Sequence, residues 1–448
     1  GEHRVEITGF RDETPLLFEI TDATAPVRSV TQPVVVEGGA KGLRFRADGE
    51  ARYLALTPSA FRRPAAIRAD TPSAWRTPGH GADYIVIAHR DFLQGAERLA
   101  AHRRAQGMRV AVVPVDDLYD EFNHGIFHPA ALRDFLVYAY HHWQPPAPRY
   151  VLLVGDAYQD YRNLLNPPET GLRNWAPSQL VLTELLGETS SDTWLANIDL
   201  TDPVPELAIG RLPVTNGDAL DALIDRIIAY ESGPETAASR ALLVADDDDS
   251  GFMLATRRIA AQLPAGMDAR VVDAALYPPG DPTRDLLAAL STGIAMLHYS
   301  GHGDVERWGH WQQGIILDYA DVAGTTHRNP PLVVTMANCL SNFFVGPAPS
   351  MGEAFILHGG ALGVWGATGL GAMPAQTRLM EAFYAALLSD PQQTLGNATL
   401  AAFAALPADD PATDELIATF VLLGDPTLRL QAGSHVHRHL LPLVYGPP

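Results

Sequence analysis

The sequence predicts an α/β protein: a parallel sheet covered on both faces, built as two subdomains and preceded by a small β-rich domain. Three observations predict it. From residue 84 onward, unbroken apolar runs of strand length alternate with stretches of helical periodicity. Such runs lack the in–out alternation of a half-exposed strand, so both faces of the sheet are buried. Residues 1–75 differ, with short β-type stretches such as HRVEITGF, LLFEIT and LRFRA separated by Gly, Pro, Asp and Thr. A Pro- and Gly-rich segment, RADTPSAWRTPGHGAD (68–83), links the two patterns.

The elements follow in order. YIVIA (84–88), a helical stretch near 92–106, RVAVVPV (109–115), the helical HPAALRDFLVYAYHHW (128–143) and RYVLLVGD (149–156) make a βαβαβ series. A helix over 216–231 ends at GPE (233–235). A second series then begins with ALLVADDDD (241–249), a helix over 252–263 and ARVVDA (269–274). It continues with a helix near 282–290 and the apolar segments GIAMLHYSGHG (293–303), PLVVTMANC (331–339) and ALGVWGATG (361–369). Helices over 376–389 and 392–405 follow. The domains expected are 1–75, 76–233, 234–432 and a tail, 433–448.

The chain has 448 residues, 47% of them apolar, enough for a large core and several domains or subdomains. A net charge of −20 argues against nucleic acid or an anionic membrane as partner and favours cationic ligands. With one cysteine, Cys339, no internal disulfide can form. No apolar run reaches 18 residues, so no membrane-spanning helix is expected, and the opening residues lack a signal-peptide pattern.

Ligands of an open parallel sheet bind at the C-terminal ends of its strands. One strand delivers the Gly-flanked His302 to that edge, and another delivers Cys339. The interval, 339 − 302 = 37 residues, allows a crossover and return. An imidazole beside a thiol is the minimum for an activated sulfur nucleophile, and the N–H groups of Gly303 and Cys339 can hold an oxyanion. Taken singly, a cysteine after an apolar strand is more often a buried hydrophobe, and a histidine beside glycine a turn residue.

The ordered pattern GIAMLHYSGHG…PLVVTMANC resembles the caspase-like clan of cysteine peptidases. Within that clan the chain is similar to the gingipain family through HPAALRDFLVYAYHHWQPPAPRYVLLVGD, SSDTW (190–194), ELAIGRLPV (206–214), MGEAFILHGGALGVWGATG (351–369) and VLLGDPTLRL (421–430), over roughly residues 80–430. The resemblance implies a caspase-like α/β sandwich, with His302 and Cys339 catalytic and Gly303 on the oxyanion side. It implies that Asp192 lies at the base of a pocket for a basic P1 side chain, and that an acid orients the histidine, for which Glu184 and Glu188 are candidates. The family's pocket has an aromatic wall that GLGAMPAQ (369–376) lacks, so that either Met373 substitutes for it or the pocket is more open.

Other features have plainer readings. Asp246, Asp247 and Asp248, in the DDDD run, suggest a structural calcium, which the family often carries; solvated charge is the commoner fate of such a run. His298, His302, His310 and Cys339 match no standard zinc spacing. No cofactor is needed for the chemistry. The expected function is a cysteine endopeptidase acting through a Cys339 thioester, cutting after Arg or Lys in protein or peptide substrates, and by resemblance secreted or at the cell surface. The alternatives are a sortase-like transpeptidase, in which an amine replaces water, and a non-catalytic binding module.

Overall fold

The computed structural model describes residues 2–36, 38–62, 69–165, 171–233, 240–278, 281–291, 293–309, 314–325, 333–408 and 410–430. The tail expected at 433–448 lies outside them. The chain divides into two units, residues 1–72 and 73–448.

The first unit is strand-rich. One antiparallel sheet joins Glu2–Phe10, Lys41–Asp48 and Gln32–Val35. A second joins Val27–Arg28, Leu16–Glu19 and Tyr53–Leu56. Alternate residues of Lys41–Asp48 face inward, and Leu17, Leu43, Phe45 and Ala47 form a small core.

The second unit is built on one ten-stranded sheet. Its first strands are β1 (Tyr84–Ala88), β2 (Val110–Pro114) and β3 (Tyr150–Val154). A separate hairpin, β4 (Gln179–Thr183) and β5 (Gly187–Ser191), intervenes before β6 (Ala208–Leu212). Then come β7 (Arg240–Ala245), β8 (Asp268–Asp273), β9 (Met296–Ser300), β10 (Val333–Ala337), β11 (Gly363–Ala367) and β12 (Phe420–Gly424). The order across the sheet is β8-β7-β9-β10-β11-β12-β6-β3-β1-β2.

Both faces are covered, as unbroken apolar strands require. Tyr84, Val86 and Ala88 enter one core while Ile85 and Ile87 enter another. The covering helices include α1 (Leu93–Ala105), α2 (Val115–Asn123), α3 (Ala130–His142) and α4 (Gly217–Ser232). They continue with α5 (Ser250–Ala260), α6 (Asp281–Ser291), α7 (Met373–Leu387), α8 (Leu395–Ala404) and α9 (Pro411–Thr419).

The sheet departs from the expected parallel one at a single place. β11 and β12 pair antiparallel, whereas β12 runs parallel to β6. The two parallel sets therefore point in opposite directions within one sheet. The C-terminal ends of β7, β9, β10 and β11 share one edge, and there the site is built.

Candidate active site

Three neighbouring strands stop in register. Ala245 of β7 pairs with Ser300 of β9, and Ser300 with Ala337 of β10. Beyond those ends come the acidic run, His302 and Cys339. The interval 337 − 300 = 37 equals 339 − 302, so the imidazole and the thiol leave adjacent strands at the same height. Neighbouring strands lie about 4.8 Å apart.

The histidine turn is clamped through its backbone. The His302 N–H donates to Asp246 Oδ2 at 2.8 Å. Its carbonyl accepts from the Gly309 N–H at 2.9 Å and lies 2.6 Å from the Tyr299 hydroxyl. Burial pushes the Asp246 carboxyl up, against the lowering effect of the N–H groups it accepts. The two glycines have separate reasons. A Cβ on Gly301 would lie 2.3 Å from Tyr299 Oη, and one on Gly303 would lie 2.2 Å from Asn338 Nδ2. Gly301 leaves room for the Tyr299 hydroxyl that holds the turn, and Gly303 for the Asn338 amide, which donates to Ser341 Oγ and brings the turn against the residue preceding Cys339.

The ring of His302 faces Asp248, with Nε2 3.3 Å from Oδ2. The Phe252 ring meets it edge-on at 5.3 Å between centroids. Asp248 was hidden in the DDDD run, where each position has its own surroundings. Asp246 holds the turn, Asp248 faces the imidazole, and Asp249 caps α5 by accepting from the Gly251 N–H at 2.7 Å.

Cys339 is half-buried, and burial pushes its thiol up. Its Sγ lies 3.8 Å from the Gly371 carbonyl. Leu340, next in the chain, takes the left-handed conformation (φ 62°), uncommon for a residue with a branched side chain. Its N–H donates to the Gly369 carbonyl at 3.0 Å. Among the described residues, no protein acceptor takes the N–H of Gly303 or of Cys339.

Asp192 requires correction. It is buried and its carboxylate is fully engaged by Arg211: Nε to Oδ2 at 2.7 Å and Nη2 to Oδ1 at 2.8 Å. Arg211 Nη1 donates to the carbonyls of Gly155 and Ala176, and the Phe344 ring lies 4.8 Å from the guanidinium carbon. The guanidinium that Asp192 was expected to take from a substrate is supplied by the chain itself. Glu184 and Glu188 are corrected too. Both are exposed on the β4–β5 hairpin, where the Glu184 N–H donates to Glu415 and Glu188 stands opposite Leu182. The acid facing His302 Nε2 is Asp248. Met373 packs with Ala245, Phe252 and Met253, the cluster that carries the ring against His302.

The three aspartates suggested for calcium do cluster. Asp246, Asp247 and Asp248 bring oxygens within 4.8 Å of one another. Asp246 spends its oxygens on the N–H groups of His302 and Asp247 and on Tyr299, and Asp248 gives one to His302. Asp247 Oδ2 and Asp248 Oδ1 are buried without a protein partner, and calcium takes six to eight oxygens in all. Among the described residues, the histidines and Cys339 form no cluster that could hold zinc. His298 is buried with its nitrogens on Thr335 and Ser300, and burial pushes it down to about 3, so it is neutral. His310 lies outside the described residues.

Residues 77–431 match the family model for peptidase family C25. The chain belongs to peptidase family C25, the gingipain family. This C25 chain shares its fold with solved gingipain structures. It matches the arginine-specific cysteine proteinase gingipain R (RgpB) with a TM-score of 0.64 at 20% identity, covering 80% of each chain. The complex of pro- and mature domains of RgpB from Porphyromonas gingivalis gives 0.63 at 20%, over 77% of this chain and 79% of that one. Dimeric latent PorU from the same organism gives 0.54 at 15%, over 96% of this chain but 38% of that one. No curated protein sequence matches the C25 chain. Among the described residues, no helix of the C25 chain is long and apolar enough to cross a membrane.

Proposed function

We propose that the chain is a cysteine endopeptidase with Cys339 as nucleophile, His302 as general base and acid, and Asp248 as the acid that orients the imidazole. The observation that carries this reading is the register Ala245–Ser300–Ala337, which sets carboxylate, imidazole and thiol on three adjacent strand ends. With Nε2 on Asp248, Nδ1 is the nitrogen that exchanges protons with thiol and substrate. Burial favours the neutral thiol, so the proton leaves Sγ for His302 as Sγ adds to the scissile carbonyl. The carbonyl electrons become an oxyanion held by the N–H groups of Cys339 and Gly303. Its collapse expels the amine, which takes the proton from the imidazolium. Water, deprotonated by His302, then adds to the thioester. Breakdown of that adduct releases the acid and restores the thiol.

A basic P1 residue is the preferred substrate in this reading. Two observations support it: the likeness to an arginine-specific gingipain, and an acidic cleft of about 470 Å³ that Asp248, the acid facing His302, lines with Asp247, Asp249, Asp273 and Arg257. We place the enzyme outside the cell or on its surface, as its family membership suggests. A fluorogenic library varied at P1 tests this, run with wild type and Cys339→Ala under reducing conditions, with calcium and with chelator. Release after Arg or Lys that needs Cys339 is expected. Release after other residues would remove the basic preference alone. Release unaffected by Cys339→Ala would remove the mechanism. Loss of activity in chelator would show a calcium requirement.

A further inference from the structure

The carbonyl of Asn338 and the N–H of Cys339 are opposite ends of one planar, trans peptide. Whatever holds the carbonyl also aims the N–H. The carbonyl is held by the side chain of Gln376, in the first turn of α7, whose Nε2 donates to it at 2.9 Å. Gln376 is only 2% exposed. Gly371 makes space for it, since a Cβ there would lie 2.8 Å from Gln376 Nε2.

The direction follows from the neighbouring peptides. The Ala337 carbonyl accepts the Gly301 N–H at 3.2 Å and so faces β9. Successive carbonyls of an extended chain face opposite sides, which turns the Asn338 carbonyl toward β11 and α7. The Cys339 N–H then points back toward the His302–Gly303 turn. The next peptide is held from the same loop, because the Leu340 N–H donates to Gly369. Residues 369–376 thus grip both peptides that flank the thiol.

We propose that Gln376 is a positioning residue for the oxyanion hole, fixing the peptide plane whose N–H receives the developing charge. This rests on the reading of Cys339 as nucleophile. A hydrogen bond to the carbonyl also polarises the amide, making its N–H a better donor. A merely structural Gln376, tying α7 to the loop after β10, would not act selectively on steps that create an oxyanion.

The test compares wild type, Gln376→Leu and Gln376→Glu in three assays. Alkylation of Cys339 by iodoacetamide forms no oxyanion, hydrolysis of a peptide amide does, and a peptide aldehyde traps the tetrahedral adduct. For Gln376→Leu, alkylation within about 2-fold of wild type and little change in KM are expected, with kcat and aldehyde affinity each down about 10²-fold. Gln376→Glu covers the case in which the leucine variant does not fold. Its protonated carboxyl still donates, so kcat falls as pH rises while alkylation follows the wild-type profile. Unchanged kcat and aldehyde affinity would overturn the proposal, as would alkylation falling in step with kcat. Wild type that shows neither Cys339-dependent turnover nor inactivation by alkylation would overturn the nucleophile reading beneath it.

Discussion

Replacing Asp192 by Asn keeps the shape of the side chain and removes its charge. Arg211 would then be a buried guanidinium with two carbonyls and a ring for company but no counter-charge. Breaking such a pair from one side costs about 3–5 kcal/mol. A unit the length of residues 73–448 unfolds with an entropy of roughly 0.8 kcal/mol/K, so the melting midpoint should fall by about 4–6 °C. Scanning calorimetry of wild type, Asp192→Asn, Arg211→Met and the double variant Asp192→Leu/Arg211→Met measures this. The double variant should recover much of the loss, because no lone charge remains. At 25 °C, where all four are folded, the preference for P1 Arg over norleucine should stay within about 2-fold of wild type, since nothing that touches substrate has changed. An Asp192→Asn enzyme that melts within about 1 °C of wild type yet loses its preference for Arg would refute the reasoning. The carboxylate would then face substrate.

Asp248→Asn should lower kcat about 10²- to 10⁴-fold with little change in KM, as when a histidine loses the acid that fixes its tautomer. Gly303→Ala should lower kcat about 10²-fold, because its Cβ would press on the Asn338 amide and shift the turn; steady-state kinetics checks both. Burial pushes the Cys339 thiol up, so its alkylation by iodoacetamide should keep rising into the alkaline range, and a plateau in acid would point instead to a preformed ion pair. Glu353, buried where it caps Ser350, is pushed up to about 7 by burial, and Asp156 beside it is raised for the same reason. A raised carboxyl favours the protonated folded state, so this contribution is full below about 4.5 and is lost as pH rises through about 7. Denaturant titrations should show Glu353→Gln flattening that slope.

The strands were legible because buried parallel strands are written as unbroken apolar runs, and YIVIA and LLVA are β1 and most of β7. That His302 and Cys339 leave neighbouring strands was legible because both follow such runs, and a parallel register turns a sequence interval into a match in height. β12 was not singled out as a strand. Its apolar run is short, and nothing local in VLLGD marks the antiparallel pairing with β11. Asp192 was misjudged because its partner arrives 19 residues later, inside a strand otherwise apolar except for Gly210. Burial of an arginine by a distant acid leaves no periodic trace. Asp248 was obscured by its neighbours, since four successive carboxylates look alike until strand end, turn and helix cap assign each a direction.

The shared height of the three strand ends has a consequence for how such a chain can vary. The segments joining β7 to β9 and β9 to β10 carry the chain back to the opposite edge of the sheet, from which the next strand returns it, so residues added there leave Asp248, His302 and Cys339 where they are. The strands allow no such freedom. One residue inserted between His298 and His302 would carry the imidazole about 3.3 Å along the sheet and turn it to the other face. Length should therefore drift in the crossovers and stay fixed over the few residues between each strand and the group it delivers.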